Sequence, residues 1–571
     1  MKTELNLFEV PPISSVQDLI IKSCGKYKDK IALEDYIDYP VSKVTYGQLY
    51  QQILKFGKSL TELGLKERDH VAVIGENRVQ WGITYLTSMV FNMVIVPVDK
   101  NLSSNDMINV LHESGSKAIV FSESFRQTIC EMKEFLPNLK FFISMDLNEK
   151  SDECDSMIKM IEKQDIQNIK PPVINPDDLA EIIFTSGSLG RAKGVMLSQK
   201  ALASNLMGMV SMIRIVSEDR FFSVLPIHHT YECTCGFLCP LYVGGSTHFS
   251  RSLKTILEDI QKAKPTIMLG APLLFNKMYA KIVKGIAEDK VKSKIVNPII
   301  KLTNLFELVG WKNSKKVFLK ELHKKFGGSI RMLVVGGAAP DPKVAKGFRE
   351  FGFNFVQGYG LTETSPILAL NRLNNFKDDA AGLPLPGIEI KIHNQDKHGV
   401  GEVYAKGDNV MLGYYNNQKL TGEAFDDGWF RTGDIGFIDD DGFLHLSGRK
   451  KNVIIANNGE NVFPEEIEDL LGRNPFILEC MVYGQEDEKH DEIIAAQIVT
   501  NSETFIEYSL KNNLKITPEL INEKISEVIA ETNKKLPAFK RIKKFYIREN
   551  EFEKTTTQKI KRHLVNTDTE D

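Results

Sequence analysis

Short apolar runs alternate with longer amphipathic stretches over most of the chain up to about residue 370. HVAVIGEN (70–77), KAIVFSES (117–124), AEIIFTSG (180–187), FFSVLPIH (221–228), PTIMLGAP (265–272), RMLVVGGAAP (331–340) and FNFVQGYG (353–360) each run apolar, then break into a glycine-rich or polar loop. Near-continuous apolar runs predict parallel strands buried on both faces. In such sheets the loops at the strand carboxyl ends line the ligand crevice. Near residue 387 the rhythm changes. IEIKIHN, GEVYAKG and FIDDDGFLHLSGR predict antiparallel strands, with an Asp441-Gly442 turn. Beyond Arg449 a smaller α+β unit is expected, with strands at MVYGQ and IIAAQIV. It also has a helix announced by Thr517 as N-cap and Pro518 at the first helical position, whose apolar face is Leu520, Ile521, Ile525, Val528 and Ile529. The expected domains are 1–448 and 449–571.

Composition narrows the classes. The 571 residues are 42% hydrophobic and 26% charged, which suits a globular chain and excludes wholesale disorder. A net charge of −3 gives no global field for nucleic acid, so no nucleic-acid partner is expected. Seven irregularly spaced cysteines do not make a disulfide framework and fit a reducing compartment. The N-terminus has no basic start followed by an apolar core. The longest apolar stretch, from Tyr85 to Val98, is shorter than the roughly 18 residues of a membrane span. A cytoplasmic protein is the expectation.

Four loops carry candidate chemistry. TSGSLGRAKGV (185–195) follows an apolar strand and combines glycines, hydroxyls and Lys193, a set that suits a polyphosphate. It is not a Walker A loop, because no hydroxyl follows the lysine and VMLS reads as a second strand. In GYGLTE (358–363) a tyrosine between glycines suits a flat base, and Glu363 is a hard oxygen ligand for Mg²⁺. WFRTGD (429–434) ends in a carboxylate that suits two adjacent ribose hydroxyls. SGRKK (447–451) sits at the expected boundary. A fifth segment, HHTYECTCGFLC (228–239), looks metal-like. It lacks a C-x-x-C pair or a second knuckle at zinc spacing, and reads better as the wall of an apolar pocket.

In this order, with LPIHHTYE, GGAAP, NVIIANNGENVFPEEIE and FEKTTTQKIKR, the motifs resemble those of the adenylate-forming superfamily, and most of all the bacterial long-chain fatty acyl-CoA synthetases. The resemblance spans essentially the whole chain. It implies an α/β fold: a large N-terminal domain of mostly parallel sheets flanked by helices, a small antiparallel barrel-like part, and a small mobile α+β C-terminal domain. It implies activation of a medium- to long-chain fatty acid by ATP and Mg²⁺ through an acyl-adenylate, then transfer to CoA with release of AMP and pyrophosphate. The alternatives are transfer to a carrier protein's pantetheine arm and a non-catalytic nucleotide-binding relative.

By the same resemblance, Thr185, Ser186, Gly187, Ser188, Gly190 and Lys193 hold the β,γ-phosphates. Thr362 and Glu363 meet the α-phosphate and, with Thr185, the Mg²⁺. Gly337, Ala338, Tyr359 and Gly360 frame the adenine, Asp434 and Arg449 the ribose. Lys559 is the adenylation lysine, a flexible cation that offsets the repulsion between acid and α-phosphate. His229 stands at the mouth of the acyl pocket, Lys451 at the hinge, and Gly459 beside the pantetheine arm. The sequence departs from the family pattern in having Gln558 before the lysine and one extra residue between Asn452 and Gly459. The acyl chain is expected between the loops at 229–240, 270–275, 336–340 and 360–368, where Gly236, Gly270, Ala271, Gly336, Gly337 and Ala338 are read as leaving room for it. Residues 277–325 hold thirteen Lys against four acidic residues, interspersed with apolar groups. Such a segment suits weak peripheral contact with the inner face of a membrane, or a solvated helical insertion. Oligomeric state is left open.

Overall fold

The structure, a computed structural model, describes residues 7–36, 42–185, 192–289, 292–311, 314–456, 460–487, 492–555 and 559–567. The chain groups into two compact units. The larger holds residues 1–390, 405–430 and 440–444; the smaller holds 391–404, 431–439 and 445–571.

Among the described residues, two large sheets organise the larger unit. One has eight strands, in the order Gly413–Tyr414, Lys193–Ser198, Leu179–Thr185, Val94–Pro97, His70–Ile74, Ala118–Phe121, Phe141–Ser144, Asp155–Ser156. It is parallel except for the pairs made by Lys193–Ser198. The other has nine, in the order Leu383–Pro384, Ile367–Leu370, Asn354–Gly360, Met332–Val335, Ile267–Gly270, Arg220–Ser223, Ser246–Phe249, Ile31–Asp35, Lys43–Thr45. Its six central strands, from Asn354–Gly360 to Ile31–Asp35, are parallel, and its edges antiparallel.

The apolar runs are buried on both faces, as read. Along the first sheet Val71, Val73, Ile95 and Val120 enter one core, and Ala72, Ile74, Val96 and Ile119 enter another. Along the second, Phe221, Ile267, Leu269 and Met332 face the first of these cores, while Phe222, Met268 and Leu333 face a third. A period of two along each strand thus feeds two cores at once. Both sheets contain a point where strand order reverses: His70–Ile74 pairs Val94–Pro97 on one side and Ala118–Phe121 on the other, and Arg220–Ser223 separates Ile267–Gly270 from Ser246–Phe249. Loops leaving the carboxyl ends at such points diverge and open a crevice.

In the smaller unit, Ile477–Glu486, Glu492–Thr500 and Ile542–Arg548 form a three-stranded sheet. The helix Pro518–Lys534 starts where the sequence announces it, the Thr517 hydroxyl accepting from the Leu520 N–H. Its Ile525, Val528 and Ile529 join Ile467 and Leu471 of the helix Pro464–Gly472, and Val482, Ala496 and Ile498 of the sheet, in one core. Residues 277–325 are largely helical, within Pro272–Glu288, Lys292–Leu308, Ser314–Phe318 and Lys320–Lys325. No helix among the described residues is long and apolar enough to cross a membrane.

Candidate active site

The glycine-rich loop lies between two antiparallel strands. Leu179–Thr185 leads in and Lys193–Ser198 leads out, with Thr185 opposite Lys193. Ser186, Gly187, Ser188 and Gly190 lie outside the described residues. On the far side of the outgoing strand, Val195 pairs with Tyr414. The Tyr414 ring lies 5.0 Å beneath the Lys193 ammonium, and its hydroxyl donates to Glu363 Oε1 at 2.9 Å. Tyr414, which no motif singled out, therefore joins the loop lysine to the acidic residue of GYGLTE.

Glu363 is held by its backbone. Gly360 ends the strand Asn354–Gly360, and a Cβ there would come 1.7 Å from the Pro366 carbonyl oxygen, so only glycine permits the close return of the chain. The tight turn Thr362–Thr364 follows. Thr364 Oγ1 accepts from the Leu361 N–H and donates to the Pro366 carbonyl. Two buried asparagines clamp the turn: Nδ2 of Asn205 and Nδ2 of Asn409 each donate to the carbonyls of Thr364 and Ile367, at 2.7–3.3 Å. The Met411 N–H donates to the Glu363 carbonyl. Thr362 and Glu363 are half-buried.

The neighbouring parallel strand Met332–Val335 pairs Val335 with Gln357, so Gly337 and Ala338 leave the sheet at the same end as Tyr359 and Gly360. Gly337 has φ +87°, a left-handed conformation suited to glycine. Gly337 and Ala338 are exposed and Tyr359 is half-buried.

His229 follows the strand Arg220–Ser223. Asn77, just beyond His70–Ile74, positions its loop by donating to Ser223 Oγ and the Leu225 carbonyl and accepting from the Ile227 N–H. The rings of His228 and His229 are 4.1 Å apart, and His228 Nε2 lies 3.2 Å from Asp99 Oδ1. Burial, then repulsion from His228, pushes the His229 imidazole down to about 3, so it is neutral near pH 7. The segment after it is a π-helical turn, Tyr231–Leu238, whose Cys233 and Cys235, with Cys239 just beyond it, are buried and unpaired. Three of the four glycines read as acyl-chain space are occupied at their sides, whereas a Cβ on Gly337 would meet nothing within 4 Å. A Cβ on Gly236 would meet the Glu232 carboxylate at 2.6 Å, on Gly270 the Phe275 ring at 2.8 Å, and on Gly336 the Tyr231 ring at 2.9 Å.

In the smaller unit, Asp434 is buried and ion-paired with Arg449, Oδ1 to Nε 2.7 Å. The Asp434 N–H donates to Thr432 Oγ1, and Arg449 also donates to the Thr432 carbonyl at 3.1 Å. Lys451 is exposed within the short turn Lys450–Asn452. Gly459 lies outside the described residues. Lys559 is exposed, its backbone joined to Thr555 in both directions: Thr555 N–H to the Lys559 carbonyl, and Lys559 N–H to Thr555 Oγ1. The structure thus groups Thr185, Lys193 and Glu363 around Tyr414, and separately Asp434 with Arg449.

A family model described as AMP-binding enzyme matches residues 21–415, and one described as AMP-binding enzyme C-terminal domain matches 466–559. The chain belongs to the AMP-binding enzymes. Among curated proteins, this AMP-binding enzyme is 28% identical over 573 residues to long-chain-fatty-acid–CoA ligase FadD15 of Mycobacterium bovis, covering 94% of this chain and 92% of that one. It is also 28% identical over 564 residues to the chloroplastic long-chain-fatty-acid–[acyl-carrier-protein] ligase AEE15 of Arabidopsis thaliana, covering 86% and 76%. Among solved structures, the anthranilate CoA ligase AuaEII in complex with anthranoyl-AMP superposes with a TM-score of 0.77 at 21% identity, covering 97% of each chain. That likeness establishes the α/β fold expected from the motifs.

The donors of the cluster fit a magnesium ion. Tyr414 takes one oxygen of Glu363, and the second has no hydrogen-bond partner among the described residues. An ionised carboxylate accepts only, and with the Thr185 hydroxyl it offers the hard oxygen ligands this ion prefers. The residues that sequence reading missed are Tyr414, Asn77, Asn205, Asn409 and Asp99. Asn77 alone had a signal, its place in the polar loop that ends HVAVIGEN.

Proposed function

We propose that this AMP-binding enzyme activates a medium- to long-chain fatty acid as its acyl-adenylate and passes the acyl group to CoA, releasing pyrophosphate and then AMP. The observation that carries the reading is the joined set Thr185, Lys193, Tyr414 and Glu363 at the carboxyl end of the sheets. Thr185, Ser186, Gly187, Ser188, Gly190 and Lys193 bind the β,γ-phosphates. Thr362 and Glu363 meet the α-phosphate. Glu363 and Thr185 would hold Mg²⁺, which when bound neutralises phosphate charge. Gly337, Ala338, Tyr359 and Gly360 frame the adenine, and Asp434 with Arg449 takes the ribose. His229, neutral near pH 7, orients the carboxylate without adding a charge. Phosphoryl chemistry of this kind is mainly positioning and charge stabilisation.

Lys559 supplies the cation that lets the carboxylate approach the α-phosphate. The C-terminal domain, 449–571, then turns about Lys451, removing Lys559 and bringing Gly459 to the pantetheine arm. A screen of acid-dependent ATP–pyrophosphate exchange across C6–C20 acids tests the first half. Exchange with no acid of this range would refute it. CoA against a holo carrier protein, compared as thiol acceptor, tests the second. A carrier-protein acceptor is the second reading, supported by the plant relative's name.

The reading extends to a cytoplasmic enzyme that touches the inner face of an anionic membrane through 277–325. Leu302, Leu305, Leu308, Val309 and Trp311 are exposed there among the lysines, the combination that binds a charged interface. Sedimentation with neutral and with anionic vesicles tests it; equal recovery in both supernatants would refute it.

A further inference from the structure

The two histidines and Asp99 share a geometry that the spacing of residues 228–239 does not contain. We infer that Asp99, His228 and His229 form a binding site for a transition-metal dication of the zinc class. The histidines leave the strand Arg220–Ser223 of one sheet, and Asp99 follows Val94–Pro97 of the other. One ligand atom from each of the three lies within 4.8 Å of the other two. Nε2 of His228 and Nε2 of His229 are both buried and without a hydrogen-bond partner. A buried ring nitrogen left unpaired costs free energy, whereas a metal uses that lone pair.

The His228–Asp99 distance suits the ion. Ligands about 2.05 Å from a tetrahedral centre stand roughly 3.3 Å apart. His228 Nε2 and Asp99 Oδ1 are 3.2 Å apart, yet the pair lacks the alignment of a hydrogen bond. Two imidazoles and a carboxylate are the mixed donor set that suits Zn²⁺ and its neighbours rather than Mg²⁺ or Ca²⁺. Cys233, Cys235 and Cys239 belong to the apolar core and play no part. Three protein ligands leave a fourth position open.

The site stands on these three side chains and is independent of the proposed reaction. Its consequence rests on that reading: an occupied site engages the imidazole of His229 that the acid requires, so Zn²⁺ slows adenylation. Co²⁺ titrated into the full-length, nucleotide-free chain tests binding. One equivalent should produce the visible ligand-field band of a four-coordinate N,O site, without a thiolate charge-transfer band, and Zn²⁺ should displace it. His228→Asn and Asp99→Asn should each weaken Zn²⁺ binding by more than about tenfold, since even an outer-shell partner is worth that much. Circular dichroism shows that each variant is folded. Absence of the band in the wild-type chain, or its persistence at full affinity in both folded variants, would overturn the site. Tight Zn²⁺ binding with undiminished acid-dependent exchange would overturn the inhibitory consequence.

Discussion

Tyr414→Phe isolates one bond of the phosphate-side cluster. The phenol hydroxyl donates to Glu363 Oε1 at 2.9 Å, while the ring lies under Lys193. Phenylalanine keeps the ring, and the backbone pairing of Tyr414 with Val195 does not depend on the hydroxyl. Among the described residues the change removes the hydrogen bond to one charged acceptor, worth about 1.5–3 kcal/mol. Glu363 is half-buried, so water recovers part of that and the lower half of the range applies. A loss of about 1.5–2 kcal/mol is roughly a 10- to 30-fold fall in kcat/KM for acid-dependent pyrophosphate exchange. The phenol orients a carboxylate expected to face magnesium, so the fall should be largest at limiting Mg²⁺. Tyr414→Leu also removes the cation–π contact, about 0.5–1 kcal/mol more, and should cost a further two- to fivefold. Thermal melting of the Phe variant should be nearly unchanged. An exchange rate within twofold of wild type at both low and high Mg²⁺ would refute the coupling of Tyr414 to Glu363.

The asparagine clamp on 364–367 should be non-additive. Asn409→Ala leaves each carbonyl a donor from Asn205, and it deletes an Oδ1 that has no partner, so it should cost about 1 kcal/mol. Asn205→Ala also loses the bond from the Ile367 N–H and should cost about 2. The double variant strands both carbonyls and should exceed the sum by about 1–2 kcal/mol in urea unfolding; simple additivity would contradict the shared clamp. Glu232 sets a pH test. It is fully buried with both oxygens lacking an aligned partner, and burial pushes its carboxyl up to about 8. The folded chain holds this proton while the unfolded chain releases it above about 4.5, so its contribution to stability is complete below pH 4.5 and is lost as pH rises towards 8. Glu232→Gln has no proton to lose. Its melting temperature relative to wild type should rise between pH 5 and pH 8, and a constant difference would refute the assignment.

Much of the larger unit was legible because parallel strands buried on both faces must be apolar throughout. Val71 to Ile74 illustrates this, feeding two cores from alternate residues. The helix at Pro518 was legible because its cap chemistry is local. What one dimension hides is which strand lies beside which, and so which side chain fills which space. Gly336 read as room for an acyl chain, yet the Tyr231 ring lies against it, from an element a hundred residues away. The pocket-wall segment 228–239 is mostly π-helical, a conformation its sequence does not announce because its apolar run carries no period that separates helix from loop. Tyr414, Asn205 and Asn409 act through partners on distant strands and carry no motif. Asp99 meets His228 only because the two sheets place the ends of Val94–Pro97 and Arg220–Ser223 together.

The two half-reactions of Lys559→Ala test the account most directly. Adenylation, read as acid-dependent pyrophosphate exchange, should fall by roughly 10²–10³, the loss expected for one charge-stabilising group. Thioester formation from supplied acyl-adenylate and CoA should stay within a few-fold of wild type. Equal loss of both half-reactions would contradict a lysine that serves only the first, and undiminished exchange would contradict its role altogether.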